Sequence, residues 1–239
     1  MQSRTFLITG ASKGIGLAIA QRFAASGHTV VGLARSPVDN FPGVLECVDL
    51  GDPNATALAL EQLTSRHNFD GIVNNVGLVK PQRLGEITLP ALSEVLSLNL
   101  IPAVQATQAI MPGMVERHWG RVVNISSLTI LGTPERSAYA AAKAALTSFA
   151  RTWALELATT GITVNAVAPG PTETELFRTN NPPGSPGEQR YLAGVPMGRF
   201  GHPDEIAAAV AFLMSEEAAF ITGQTLHVDG GASIGKRAF

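Results

Sequence analysis

Short unbroken apolar runs alternate with longer segments of mixed polarity along this chain. Phe6-Leu7-Ile8 is apolar throughout and stops at Thr9-Gly10. Leu17 to Ala25 then carries helical spacing and ends at Gly27. The strand-like pattern returns at Thr29 to Leu33, Val44 to Val48, Gly71 to Asn74, Val122 to Ile125, Thr163 to Val167 and Leu226 to Val228. Between these runs, Pro53 to Arg66, Leu92 to Arg117, Ala138 to Leu157 and Pro203 to Met214 predict helices. Pro53 suits a first helical turn, where its missing N–H costs nothing. Asp204 and Glu205 suit the positive end of the helix dipole. The Ala-rich run after Ala138 has high intrinsic helix propensity. Pro102 and Pro112 mark the places where the long helix can bend.

Repeated strand–helix–strand order predicts a parallel sheet with right-handed crossovers and helices on both faces. Unbroken apolar strands agree, because such strands are buried on both sides. The expected class is α/β, a doubly wound seven-stranded parallel sheet. With no internal repeat and no linker, one domain is expected over residues 1–239. The Pro/Gly-rich stretch Asn181 to Gly187 reads as a mobile surface loop.

Composition narrows the function classes. The chain has 239 residues, 45% hydrophobic and 15% charged, which suits a sizeable core and not a disordered chain. Seventeen Lys and Arg stand against nineteen Asp and Glu, for a formal charge of −2. That balance offers no broad basic field for nucleic acid or an anionic membrane. The lone Cys47 allows no internal disulfide and fits a reducing, cytoplasmic setting. No apolar run reaches the ~18 residues of a spanning helix, and the start Met1 to Arg4 does not read as a signal peptide. The five histidines are scattered without metal-binding spacing, so no metal is expected.

The turn after the first strand, Thr9-Gly10-Ala11-Ser12-Lys13-Gly14-Ile15-Gly16, spaces its glycines as G-x-x-x-G-x-G. Missing side chains let a diphosphate approach the backbone, and the following helix N-terminus offers free N–H groups. No G-K-[ST] follows, which disfavours a Walker-type loop. An acid ending the second strand would bind the ribose 2′-OH of NAD. Here that strand runs Gly32-Leu33-Ala34-Arg35-Ser36. Arg35, with Lys13 on the turn, points instead to a 2′-phosphate and to NADP(H) preferred over NAD(H). The competing reading of Arg35 is a solvated loop residue.

Tyr139 and Lys143 are four apart on a predicted helix and share one face. An ammonium ~4 Å from a phenolate, at an effective dielectric of ~20, is worth ~4 kcal/mol. That would bring a tyrosine hydroxyl from ~10 toward neutrality and let it exchange a proton with an alcohol or carbonyl. The pair alone also fits a plain helical tyrosine beside a solvated lysine.

Thr9 to Gly16, Asn74-Asn75-Val76-Gly77, Asn99, Asn124-Ile125-Ser126-Ser127, Tyr139-x-x-x-Lys143 and Pro169-Gly170 stand in a characteristic order. Together they resemble the short-chain dehydrogenase/reductase family, in its single-domain branch near the 3-oxoacyl-carrier-protein reductases. The resemblance covers nearly the whole chain and implies a Rossmann-type fold with a Ser-Tyr-Lys-Asn catalytic set. It implies that Tyr139 is the general acid or base and that Lys143 tunes it and holds the nicotinamide ribose. Asn99 would support a water linked to Lys143. The Asn-x-x-Ser register selects Ser127 for the substrate carbonyl, whereas the usual distance to the tyrosine selects Ser126. The cofactor would lie against Gly10, Ser12, Lys13, Gly14, Ile15 and Gly16, then Arg35, Asp49 and Leu50 beside the adenine, and Asn75 and Gly77 beside the ribose. Pro169, Gly170, Thr172 and Thr174 would flank the nicotinamide. Val76 departs from the family's usual alanine.

The resemblance therefore implies hydride transfer between NADP(H) and a small carbonyl or alcohol substrate under a lid at about 171–200. Glu173 and Glu175 read as lid residues, and Phe177 and Tyr191 as either pocket lining or plain packing. It further implies a homo-oligomer, a tetramer or dimer, pairing through the Asn99 and Tyr139 helices and the last strand. The tail Gly235 to Phe239 is a further candidate contact. Alternatives are a non-catalytic dinucleotide-binding regulator, an NAD-dependent alcohol dehydrogenase of the same family, and an epimerase or dehydratase.

Overall fold

A computed structural model describes residues 2–235. The elements run β1 (Thr5–Thr9), α1 (Gly14–Ala25), β2 (Thr29–Ala34), β3 (Val44–Cys47), α2 (Pro53–Arg66), β4 (Gly71–Asn74), α3 (Leu89–Glu116) and β5 (Gly120–Ile125). A short 3-10 turn (Leu128–Leu131) leads to α4 (Ser137–Glu156), β6 (Ile162–Pro169), α5 (Glu175–Asn180), α6 (Pro186–Ala193), α7 (Pro203–Leu213) and β7 (Thr225–Val228). The strands form one sheet in the order β3-β2-β1-β4-β5-β6-β7, with every pairing parallel. The seven strands expected from the apolar runs are the seven observed, within a residue or two at their ends. Four of the helices were legible in the same way, together with α1.

Period-two alternation sorts each strand between two apolar layers. On β1, Leu7 packs with Leu60 of α2, Ile110 of α3 and Ala150 of α4. Its neighbours Phe6 and Ile8 face the opposite layer, with Ile19 of α1 and Ile206 of α7. Both faces are thereby sealed, which is why the strands carry no polar alternation. Buried Arg121 of β5 is satisfied by the carbonyls of Ser215 at 3.0 Å and Gly120 at 2.8 Å. Asp52 caps α2 by accepting from the N–H groups of Asn54 and Ala55.

One expectation changes. The Asn181–Gly187 stretch is not one long loop, because Ser185 caps α6 and Pro186 occupies its first turn. Proline content disguised a helix start, where proline is tolerated. The long helix α3 is continuous and holds Pro102 and Pro112 inside it. Averaged over a window, with a mean hydropathy of 1.2, α3 is long and apolar enough to cross a membrane by length and composition alone. Here it packs on the sheet, burying Val95, Ala106 and Ile110.

Chain order reverses between β1 and β4, so the loops after these strands diverge and leave a crevice at their carboxyl ends. Doubly wound folds place ligands at this switch point.

Candidate active site

The glycine turn after β1 is braced from two sides. Gly10 and Gly14 adopt φ of +65° and +55°, a region open mainly to glycine. A Cβ on Gly16 would lie 2.2 Å from the Gly10 carbonyl oxygen. Asn75, just past β4, donates its side-chain amide to the carbonyls of Thr9 and Gly10, each at 3.0 Å. The Thr9 hydroxyl accepts from the N–H groups of Asn75 at 2.9 Å and Val76 at 3.1 Å. The end of β2 joins in, since the Leu33 carbonyl accepts from Gly10 and Ala11. Exposed Arg35 follows directly, and exposed Lys13 stands at the N-cap of α1.

A polar ladder fixes the next two strand ends. Asn74 donates to the Asn124 side-chain carbonyl at 2.8 Å and to the Thr107 hydroxyl at 3.0 Å. Asn124 donates to the Leu146 carbonyl at 3.1 Å. These bonds join β4, β5, α3 and α4 below the cleft.

Ser126 and Ser127 separate by function. Buried Ser126 donates to the Lys143 carbonyl at 3.0 Å and so ties β5 to α4. Ser127 lines the cleft together with Tyr139, and its hydroxyl accepts from the Thr129 N–H at 3.2 Å. Lys143 is buried, and its ammonium donates to the Ile125 carbonyl at 2.9 Å. It lies 5.6 Å from the Tyr139 ring centroid.

This geometry corrects the simple two-residue electrostatic expectation. Burial pushes the Tyr139 hydroxyl up to about 12, outweighing the Ser127 hydrogen bond and the Arg136 charge, which both pull it down. Lys143 is not among the groups that lower it. Burial also pushes Lys143 down to about 8. Spacing of four residues placed both groups on one face, but desolvation depends on everything packed around them.

Asn99 of α3 sits behind this pair. Its amide donates to the carbonyls of Val95 at 2.7 Å and Leu78 at 2.9 Å. Its side-chain oxygen is buried without a hydrogen-bond partner among the described residues. A Cβ on Gly77 would lie 3.0 Å from that oxygen and 3.2 Å from the Lys143 ammonium. The bare glycine thus leaves open the space on which both polar groups converge.

A cleft of 630 Å³ joins these parts. Gly10, Ser12, Lys13, Gly14, Ile15, Arg35, Asp49, Leu50, Asn75 and Gly77 line it, as do Ser127, Tyr139, Lys143, Pro169, Gly170, Thr172 and Thr174. Gly16 and Asn99 do not; they sit behind the wall, one making room for the turn and the other below Gly77. Thr174 caps α5 by accepting from Phe177, and its methyl would meet a Gly14 Cβ at 3.3 Å. Thr172 donates to the Gly170 carbonyl at 3.0 Å. Phe177 and Tyr191 both line the cleft and pack edge to face, centroids 5.5 Å apart. Glu173 is spent on Arg178, which also binds Glu188 and so clamps α5 to α6. Among the described residues no cluster of metal-ligating side chains occurs. Sequence reasoning missed Arg136 and Arg190, which also line the cleft. Only the position of Arg136, three residues before Tyr139, hinted at its place.

A glycine turn at the switch point of a doubly wound sheet, open to a half-buried tyrosine and a buried lysine, defines a dinucleotide-binding oxidoreductase. Residues 10–233 match the family model described as Enoyl-(Acyl carrier protein) reductase. The chain belongs to the short-chain dehydrogenase/reductase family. It is 38% identical over 245 residues to the 3-oxoacyl-(acyl-carrier-protein) reductase FabG of Vibrio cholerae, covering 97% of this chain and 98% of that one. The Escherichia coli FabG is 38% identical over 240 residues, covering 96% and 97%. Among solved structures, ligand-free aldohexose dehydrogenase of Thermoplasma acidophilum superposes with a TM-score of 0.91 at 30% identity, covering 98% and 95%. A Beutenbergia cavernae protein assigned as an NAD(P)-dependent gluconate 5-dehydrogenase, with NADP bound at low occupancy, gives 0.91 at 32% identity, covering 97% of each chain.

Proposed function

We propose that this chain is a cytoplasmic, self-associating NADP(H)-dependent carbonyl reductase or secondary-alcohol dehydrogenase, one catalytic unit over residues 1–239 with a substrate lid at about 171–200. The observation that carries the reading is that Ser127, Tyr139 and Lys143 line one cleft that also reaches the glycine turn. The residues fit NADP(H). Gly10 and Gly14 leave backbone bare where a diphosphate would rest, and the open end of α1 supplies N–H groups and positive potential. Lys13 and Arg35 offer two cations at the rim for a 2′-phosphate. Asn75, Gly77, Asp49 and Leu50 would hold the adenosine half, and Pro169, Gly170, Thr172 and Thr174 the nicotinamide half. The NADP bound by the Beutenbergia neighbour supports this choice.

When bound, the nicotinamide supplies or accepts the hydride. The chain's own residues manage the oxygen and its proton. Ser127 holds the carbonyl oxygen by hydrogen bonding. Tyr139, pushed up to about 12, keeps its proton at neutral pH and is ready to deliver it as the oxygen gains charge. The partnerless Asn99 oxygen and the Lys143 ammonium, meeting over Gly77, are placed to pass a replacement proton through a water. Leu98, Phe177 and Tyr191 give the cleft an apolar lining.

Tyr139→Phe tests the assignment. NADPH binding, followed by cofactor fluorescence, should stay within a few-fold of the parent, while turnover on ketones falls by about two to four orders of magnitude. Undiminished turnover would reject Tyr139 as the acid. Tight NADPH binding by the parent with no turnover across a broad ketone and alcohol panel would favour a regulator instead.

A further inference from the structure

Arginines around the substrate end of the cleft fall into two groups. Arg83 is held by Glu135 at 2.8 Å, Arg178 by Glu173 and Glu188, and Arg199 by Glu205 at 2.6 Å. Arg136 and Arg190 make no ion pair among the described residues, yet both line the cleft. Arg136 is the N-cap of α4, three residues before Tyr139. Arg190 lies on α6, an element of the opposite, lid side. The shared cleft wall brings the two cations together although they are distant in the chain. The nearby Glu135 carboxylate is hydrogen-bonded to Arg83, and Arg136 and Arg190 add only smaller pulls on it. Thr133 and Arg190 also line an adjoining hollow, so the cationic end opens outward. Two acids also line the cleft: Asp49, which follows β3, and Glu175, which opens α5.

We propose that Arg136 and Arg190 form an anion subsite, and that the substrate is an oxo acid whose carboxylate or phosphate lies between them while its carbonyl meets Ser127 and Tyr139. The proposal rests on the carbonyl-reductase reading and adds the substrate class to it. A guanidinium presents a planar fork that matches either anion through two parallel hydrogen bonds. One fork stands on the catalytic helix and the other on the lid helix. A shared anion therefore links lid to catalytic helix when the substrate is seated, and its release lets them part. Arg136 and Arg190 are specificity residues here, not proton carriers.

The test uses the full-length protein saturated with NADPH. Glutarate, dimethyl glutarate and glycerol phosphate are titrated into it by calorimetry, none of them needing turnover. The proposal expects an anion to bind at least about tenfold more tightly than the neutral diester, a difference of about 1.4 kcal/mol. Whichever anion binds better names the source. Arg136→Gln and Arg190→Gln should each bring the anion-to-diester ratio close to one, Arg190→Lys, which keeps the charge and loses the fork, should retain only part of it, and Arg190→Glu should invert it. Because each variant is its own control through the diester, partial loss of folded protein does not alter the ratio. Equal binding of anion and diester by the parent, or an unchanged ratio in both Gln variants, overturns the subsite. A second arm compares kcat/KM for 5-oxohexanoate with that for its methyl ester. No reduction of any carbonyl would remove the reductase reading, while the calorimetric ratio would still decide the subsite.

Discussion

Lys143 shows how far one side chain's surroundings can move its chemistry. Buried, and bonded among the described residues to the Ile125 carbonyl alone, it is pushed down to about 8 from 10.5. Between these values the unfolded chain holds the proton that the folded chain releases. Stability of the cofactor-free protein therefore rises with pH from about 8 toward 10.5 through this group, and that contribution is lost as pH falls through 8. The expected gain is of order ~1–3 kcal/mol. Urea midpoints at pH 7.5 and 9.5 measure it, and Lys143→Met should flatten the slope; an equal slope in both proteins would contradict the assignment. Tyr139 acts oppositely above pH 10, because its raised value stabilises the protonated folded form there. At the other end of the cleft, Arg35→Ala should weaken NADPH by about 10- to 100-fold, one lost charge-assisted contact, with much less effect on NADH. Equal losses for both cofactors would mean that another residue reads the 2′-phosphate.

At the scale of elements, the β1–α1 junction depends on a close approach that no side chain can enter. Gly16→Ala would drive a methyl into the Gly10 carbonyl, 2.2 Å from its ideal Cβ position, and would also press on the Asn75 amide at 2.7 Å. Both are parts of the brace that holds the turn. The cost of such overpacking is about 1–3 kcal/mol, and the displaced turn should lose dinucleotide affinity at least tenfold. Thermal unfolding and NADPH fluorescence together check this, and an alanine variant equal to the parent in both would show that the turn can yield. The elements themselves were legible because strand and helix periodicities are local properties. The lid was the exception: Pro182, Pro183 and Pro186 suggested a loop, whereas Ser185 and Pro186 start α6 and the Arg178 clamp holds it to α5.

Across the whole molecule, apolar side chains left in solvent point to association. Phe220 is fully exposed and precedes β7, Leu226 lies on that edge strand, and Ile234 follows it. An unpaired edge strand flanked by such residues is a ready surface for a second copy. Light scattering at micromolar concentration should give a mass at least twice the 25.0 kDa of one chain, and Phe220→Ser should lower it. Particles of a single chain's mass throughout would exclude the homo-oligomer. Of the tail proposed as a further contact, residues 236–239 lie outside the described residues.

The sequence by itself determined the strands and helices, the glycine turn and the shared helical face of Tyr139 and Lys143. Each depends on neighbours within one or two turns of chain, where steric preference and periodicity decide. Packing decided the rest. It tied Ser126 to the α4 backbone and left Ser127 lining the cleft, turned the Lys143 ammonium toward Ile125, and moved Gly16 and Asn99 behind the cleft wall. It also brought Arg136 and Arg190 to one end of that cleft. Charge and hydrogen bonding act through space and through the water they displace, so their outcome was set only when distant segments closed around each group.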